Sequence, residues 1–327
     1  MVWLLLSAVV AFFLPFELFL FAYAVMGPLH YLTEMAWLHE RAYFLPGRRD
    51  ALPLAALGIG ISLAAWLGHW LGGWYGRFSF LALGLAGIMV FLRKTDHRLI
   101  GVGILLLALV LLERTQLFYL LFTVFLSNII HVFVFTAAFM LFGALKNRSV
   151  SGYTSVALFA GLAVLLVTVG HAPEPVATHQ YIHEAYRGFA EMHRQLLILA
   201  GHPLPPTETG ATMGAIFSSP AGWIAMRFVA FSYTYHYLNW FSKTSVIGWH
   251  RIPKRRMAAV VMLWLASLGL YLWDYNLGLR CLLLLSVLHV VLEFPLNLYS
   301  FQGIALELRR RFGQAKLRAS NAAIRKA

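Results

Sequence analysis

Charged side chains are scarce in this sequence. They make up 12% of its 327 residues, whereas a soluble globular domain carries about 25%. Hydrophobic residues make up 60% and form long continuous runs without strand-like alternation. Because a backbone in lipid must satisfy its own hydrogen bonds, such runs cross a membrane as helices. The sequence therefore predicts an all-α fold, a polytopic integral membrane helical bundle.

Cysteine and several catalytic motifs are also missing. Cys281 is the only cysteine, so no disulfide can form within the chain. The chain lacks His-Glu-x-x-His, Gly-x-Ser-x-Gly and the phosphate-binding loop motif, the signatures of zincin proteases, α/β-hydrolases and P-loop NTPases. The His-x-x-His-His box of membrane fatty-acid desaturases and hydroxylases is absent too.

Acidic residues are half as frequent as basic ones, 13 against 26, which gives a net charge of +13. Most Lys and Arg residues lie in alternate loops between apolar runs and in the C-terminal tail. This distribution indicates a cytoplasmic membrane surface rather than a nucleic-acid partner. We therefore expect about nine transmembrane helices in a cell membrane of the bacterial inner-membrane type. The N-terminus would lie outside and the C-terminus in the cytoplasm, with basic residues against anionic lipid headgroups.

The apolar runs also predict the domain organisation. A single transmembrane domain covers 1–302, and a basic cytoplasmic tail covers 303–327. Within the domain, 171–215 is predicted to be an extracytoplasmic connection that carries a surface amphipathic helix over 178–200. The predicted spans are 3–29, 51–72, 78–92, 99–112, 117–144, 152–170, 216–242, 257–274 and 279–300.

Four histidines lie inside these apolar runs, namely His30, His131, His236 and His289. In the predicted topology their depths in the membrane roughly agree. An ionisable side chain in a span is costly and is a functional candidate by default. Imidazole binds iron, zinc and copper, and mixed sites of histidine and carboxylate suit non-haem iron. We therefore predict a metal centre of one or two iron ions, with zinc or copper as alternatives.

Each of these histidines has a polar residue one helical turn away, so each pair shares a helix face. Such a residue either binds the metal or hydrogen-bonds a ligand imidazole. We predict Glu293 as a further metal ligand. Glu34, Asn128 and Asn239 are predicted to have a catalytic role by orienting the ligands, although Glu34 is open to ligation as well. The pairs are His30 with Glu34, His131 with Asn128, His236 with Asn239, and His289 with Glu293.

Three short stretches carry a family resemblance. They are residues 27–34 (Gly-Pro-Leu-His-Tyr-Leu-Thr-Glu), 231–239 (Phe-Ser-Tyr-Thr-Tyr-His-Tyr-Leu-Asn) and 288–293 (Leu-His-Val-Val-Leu-Glu). They resemble the histidine motifs of the Brp/Blh family of membrane β-carotene-cleaving dioxygenases. The chain departs from that pattern by Glu34 in place of Asp, by Leu29 between Pro and His, and by Trp240 at the place of a second histidine.

The resemblance implies an iron(II)- and oxygen-dependent enzyme that acts on a long apolar polyene within the bilayer. It implies that the four histidines bind iron and that Glu34 supports them. The sequence thus favours a non-haem iron oxygenase for a lipophilic substrate such as a carotenoid or lipid, taken from the bilayer into a tunnel lined by aromatic residues. A haem protein, a proton-coupled transporter or channel and a membrane acyltransferase using Asn128 and His131 are the alternatives.

Overall fold

The fold is helical throughout the part of the chain that is described. The structure, a computed structural model, describes residues 1–71, 73–169, 180–205, 210–248 and 252–324. No strand occurs in these ranges, which confirms the predicted all-helical class. Parts of the predicted connection 171–215 and the end of the tail 303–327 lie outside the described residues.

In the described ranges, five π-helical or 3-10 segments lie between α-helices. The π-helical and 3-10 segments are Ala22–Met26, Ala42–Phe44, Arg48–Ala51, Tyr119–Phe135 and Arg187–Phe189. The α-helices are α1 Val2–Phe13, α2 Pro15–Phe21, α3 Gly27–Glu40, α4 Leu52–Trp66, α5 Gly68–Leu71, α6 Trp74–Phe91, α7 Thr95–Leu112, α8 Gln116–Phe118, α9 Thr136–Asn147, α10 Val150–Thr168, α11 Gln180–Tyr186, α12 Ala190–Leu199, α13 Gly210–Ser218, α14 Pro220–Ser242, α15 Thr244–Ile247, α16 Lys254–Trp273 and α17 Tyr275–Ile324.

Six helical stretches among the described residues are long and apolar enough to cross a membrane. This finding agrees with a membrane protein. The other three predicted spans correspond to helices that are interrupted, short or polar: the first breaks at Leu14, α4 has 15 residues, and α14 carries Arg227 and His236. The six stretches are Trp74–Phe91, Thr95–Leu112, Gln116–Asn147, Val150–Thr168, Lys254–Trp273 and Tyr275–Phe312.

Helices α14 and α17 form the centre of the bundle. Helix α14 packs against α1, α2 and α10, and α17 packs against α3, α4, α6, α9 and α16. More than half of α14 is buried, including its polar residues Arg227 and His236. Helix α7, by contrast, buries no residue. The polar side chains of the central helices therefore face protein, whereas the apolar surface of α7 is free to face lipid.

Helix α12, which belongs to the predicted connection 171–215, packs on the bundle. Helix α12 buries Ala190, His193 and Leu197 on one face and contacts α14. Between two half-buried residues of the same helix, Arg194 Nε donates to Glu191 Oε2 at 2.9 Å. Helix α17 runs from Tyr275 to Ile324 without a break, so the predicted start of the tail at residue 303 lies inside one continuous helix.

Candidate metal centre

A broken helix positions His30 and its carboxylate partner Glu34. The π-helical turn Ala22–Met26 ends where α3 begins, and Trp264 Nε1 donates to the carbonyl of Val25 in that turn at 2.8 Å. Both His30 and Glu34 are buried, with 1% and 2% of their surface exposed. His30 Nε2 lies 3.0 Å from Glu34 Oε2, so the shared helix face predicted from their spacing is present.

His131 lies on an unusual helix. Residues Tyr119–Phe135 form a π-helix, and Asn128 has non-helical backbone angles of φ −119° and ψ −106°. Such wide turns are rare and occur often at functional sites. Asn128 Nδ2 donates to the Val124 carbonyl at 2.6 Å, and Asn128 Oδ1 accepts from Tyr233 at 2.9 Å. Asn128 therefore ties the distorted helix to α14.

His236 and His289 come from the two central helices. The Nδ1 atom of His236 lies 2.8 Å from the hydroxyl of Thr136. Both ring nitrogens of His289 are buried and have no hydrogen-bond partner. Since α14 and α17 cross the centre of the bundle, they bring both imidazoles to the rings of His30 and His131.

The four histidines form one compact group. One ring nitrogen from each lies within 4.8 Å of those from the other three, and all four residues are buried. Among them, Nε2 of His30 and Nε2 of His236 are 3.1 Å apart. Four nitrogens on a tetrahedral ion with bonds of about 2.0–2.1 Å would be about 3.3 Å apart. Small side-chain movements would therefore place all four around one ion.

Unpartnered polar atoms are concentrated at this group. Besides both nitrogens of His289, these buried atoms without a hydrogen bond are His30 Nδ1, both nitrogens of His131, Glu34 Oε2 and Glu293 Oε2. A buried polar group without a partner costs about 1–3 kcal/mol, so native structures rarely keep several together. A cation bound between the imidazoles would take one nitrogen of each ring, including one of the two unpartnered nitrogens on each of His131 and His289. The donor set therefore fits a metal ion.

The carboxylate of Glu293 contacts a histidine of another helix. Its Oε2 atom lies 3.2 Å from Nδ1 of His131, although the sequence spacing pairs Glu293 with His289. Neither this contact nor the one from His30 to Glu34 is aligned as a hydrogen bond. Glu293 thus lies at the Nδ1 side of His131, from which a carboxylate orients a ring that binds metal through Nε2. Glu34 contacts Nε2 of His30, the same nitrogen that lies 3.1 Å from Nε2 of His236, and is therefore placed as a candidate ligand.

Two cavities adjoin the four histidines on opposite sides along α14 and α17. One, of about 50 Å³, is lined by polar groups that include Tyr23, Tyr75 and Tyr233. The other, of about 180 Å³, is lined by Asn239 and Lys243 among others, and by both carboxylates of the centre. The predicted residue Asn239 therefore lies at a cavity wall one turn from His236.

Several residues of the site were not indicated by sequence patterns. Thr136 contacts His236 across two helices, and Lys243 follows the end of α14. Burial lowers the pKa of the Lys243 ammonium, while the charges of Glu293 and Glu34 act in the opposite direction. Thr136 lies five residues after His131. That spacing brings two residues to one helix face only where the helix is as wide as the π-helix here, so the sequence alone did not indicate Thr136.

Comparison with known proteins supplies no assignment. No family model, curated protein or solved structure matches the chain. The function must therefore be inferred from the geometry of the four histidines and the cavities beside them.

Proposed function

We propose that this protein is an integral-membrane, metal-dependent oxidoreductase, with non-haem iron held by His30, His131, His236 and His289. The observation that carries the proposal is the convergence of four buried imidazoles within 4.8 Å, with five ring nitrogens on three of them that make no hydrogen bond. Unpaired polar groups in a helical bundle are retained where they have a function. The resemblance of three stretches to the Brp/Blh dioxygenases supports iron and oxygen over the alternatives.

Different residues of the chain would bind the metal and orient its ligands. The four imidazoles would hold the metal, and bound iron would supply the chemistry of oxygen activation. Glu293 lies beside Nδ1 of His131 and would orient that ring, and it is near enough to serve as a ligand after a small movement. Glu34 lies at the nitrogen of His30 that faces His236, and it would bind the metal itself or orient His30 after a small movement of the ring. The Thr136 hydroxyl lies against Nδ1 of His236, which leaves Nε2 of that ring for the metal.

The substrate would be lipophilic, a carotenoid or a lipid, and would enter from the bilayer. Aromatic side chains surround the centre, including Trp37, Trp240 and Phe139 at the cavity of about 180 Å³. Aromatic walls with a few polar groups are typical of pockets for such ligands. Because the substrate partitions into lipid, the membrane itself would concentrate it near the site.

The membrane arrangement is part of the proposal. We propose nine spans, with the N-terminus outside and the C-terminus in the cytoplasm of a bacterial cell, and a basic tail on anionic headgroups. The distribution of Lys and Arg residues between alternate loops supports this orientation. The six long apolar helices together with the first broken helix, α4 and α14 would supply the nine.

Geometry argues against haem as the cofactor. In a haem with two axial histidines, the porphyrin plane separates the two ligand nitrogens. Here four ring nitrogens all lie within 4.8 Å of one another. A macrocycle inserted between any two would collide with the other two.

A proton-coupled transporter is the second candidate. It is favoured by the two cavities on opposite sides of the histidines, both of which touch His236. A transporter needs access to a central site from both sides of the membrane. It does not need a stoichiometric redox metal, so metal content separates the two candidates.

The test is elemental analysis of the detergent-purified protein, beside His289→Ala and His97→Ala. His97 is exposed at the start of α7 and is the matched control. We expect stoichiometric iron in the wild type and in His97→Ala, complete loss in His289→Ala, and no Soret absorption. Equal metal content in all three proteins, or none in the wild type after purification without chelators, would contradict the proposal and favour the transporter.

A further inference from the structure

A large basin lies beside the metal centre. It has a volume of about 1230 Å³ and is lined by the end of α4, the start of α17 and the turn Arg187–Phe189. Its walls combine apolar side chains, such as Trp66 and Leu279, with the guanidinium groups of Arg187 and Arg280. The basin is therefore amphipathic, with a charged part and an apolar part.

The basin adjoins the smaller cavity beside the histidines. Tyr23, Tyr75, Asn128 and Leu283 line both the basin and the smaller cavity of about 50 Å³. That smaller cavity touches three of the four histidines. One layer of side chains, which includes the two tyrosines, therefore lies between a molecule held in the basin and the metal centre.

The charge of the basin has a single sign. Among the described residues, its lining includes two arginines and no carboxylate. Neither Arg187 nor Arg280 forms an ion pair with a residue in the described ranges, whereas Arg77 pairs with Glu113 at 2.7 Å and Arg194 with Glu191 at 2.9 Å. The predicted topology places all four on the side of the membrane that is poor in positive charge. Two guanidinium groups without an ion pair therefore lie at the opening of the basin, on the predicted outer side of the membrane. They indicate an anionic ligand.

We propose that the basin binds an anionic amphiphile, with its carboxylate or phosphate between Arg187 and Arg280 and its apolar part against Trp66 and Leu279. Guanidinium groups bind such oxyanions through paired hydrogen bonds. The inference rests on the proposed function and narrows its substrate to an acidic lipid, which would approach the metal from the side opposite the cavity of about 180 Å³. A neutral polyene would leave both guanidinium groups without a partner.

The size of the basin also selects the ligand. Pockets for small molecules commonly have volumes of about 300–1,000 Å³, and this basin is larger at about 1230 Å³. A free inorganic anion would leave nearly all of that space unfilled. A fatty acid or an acidic lipid has both the volume and the single charged end that the walls require.

The experiment measures binding to the metal-loaded protein in a neutral detergent. The probes are oleate, dioleoyl phosphatidate, oleyl alcohol and inorganic phosphate, each competing with a fluorescent fatty acid. The variant is the double substitution Arg187→Gln/Arg280→Gln, and the matched control is Arg114→Gln, an arginine of the same side that does not line the basin. We expect the double variant to bind both acids about tenfold more weakly or worse, and the control to bind as the wild type does.

Three results would overturn the inference. They are equal binding of oleyl alcohol and oleate by the wild type, equal weakening in Arg114→Gln, and displacement by inorganic phosphate alone as effective as by oleate. The last would identify a water-soluble anion. Metal content is measured on the same samples. Acid binding that depends on the two arginines in a protein without metal would support the basin and overturn only the metalloenzyme proposal.

Discussion

In the described part of the chain, buried histidines occur in two regions, which differ in the hydrogen bonding of their ring nitrogens. In α12, His193 is fully buried, and both nitrogens have partners: Nδ1 lies 3.0 Å from the Tyr186 hydroxyl and Nε2 lies 2.9 Å from the Gly222 carbonyl. In the central group, both nitrogens of His131 and of His289 have none. His193 therefore has hydrogen-bond partners for both ring nitrogens, whereas two histidines of the central group have partners for neither.

This difference separates a structural histidine from a candidate ligand. A buried polar side chain whose hydrogen bonds are all made stabilises its surroundings and needs nothing more. One whose nitrogens point at other imidazoles is costly unless something binds between them. Burial alone would have grouped His193 with the other four, so hydrogen-bond completeness is the more informative property.

The largest expected effect is on metal content, when a histidine of the central group or the structural His193 is replaced by alanine. His131→Ala should abolish metal binding, since it removes one of four ligands. His193→Ala should leave metal content unchanged and lower the free energy of unfolding by about 2 kcal/mol, because Tyr186 and Gly222 lose their partner. Metal content and thermal melting of both purified variants provide the check. Loss of metal in His193→Ala, at a temperature where this variant remains folded, would show that hydrogen-bonded and unpartnered histidines do not differ in this way.

Acidification should expose the structural role of His193. Burial lowers the pKa of this imidazole from 6.5 to about 4, so the unfolded chain binds a proton at a higher pH than the folded protein. The stabilisation is fully present above pH 6.5 and is lost as the pH falls toward 4, by up to roughly 3 kcal/mol.

The measurement is the melting temperature of the wild type and of His193→Gln between pH 7 and pH 4. The variant should lose less stability over that range, because it lacks the titrating ring. Glu191, whose carboxylate accepts from Arg194 and Gln195, titrates in both proteins and cancels in the comparison. Parallel curves for the two proteins would show that His193 does not titrate on unfolding.

The sequence predicted the helical class and which histidines meet. The helical class followed from continuous apolar runs. The meeting of the four histidines followed from their place as ionisable residues in otherwise apolar helices. Local spacing also predicted the contact of His30 with Glu34, because residues four apart share a helix face. The nine spans, their orientation and the iron remain predictions.

Beyond the meeting of the four histidines, individual contacts between helices could not be predicted from the sequence. Glu293 lies beside His131 rather than His289 because packing brings the π-helix against α17, and no spacing rule describes that. The π-helix Tyr119–Phe135 has no sequence signal comparable to a cap or a proline. The tyrosines around the small cavity looked like ordinary packing residues, since their role depends on which side of a helix faces the centre.

The smallest expected effect concerns Thr136. His236 differs from its neighbours in the centre because its Nδ1 has a partner, the Thr136 hydroxyl at 2.8 Å, and so it combines features of both kinds of histidine. Thr136→Val keeps the shape of the side chain and removes that contact. Metal affinity should fall about tenfold, the lower end of the range for residues that orient a ligand, while Thr136→Ser should restore it. Competition with a chelator measures the affinity. If valine and serine variants bind metal equally, His236 needs no hydrogen bond to be held as a ligand, and its position is determined by the packing of α14 alone.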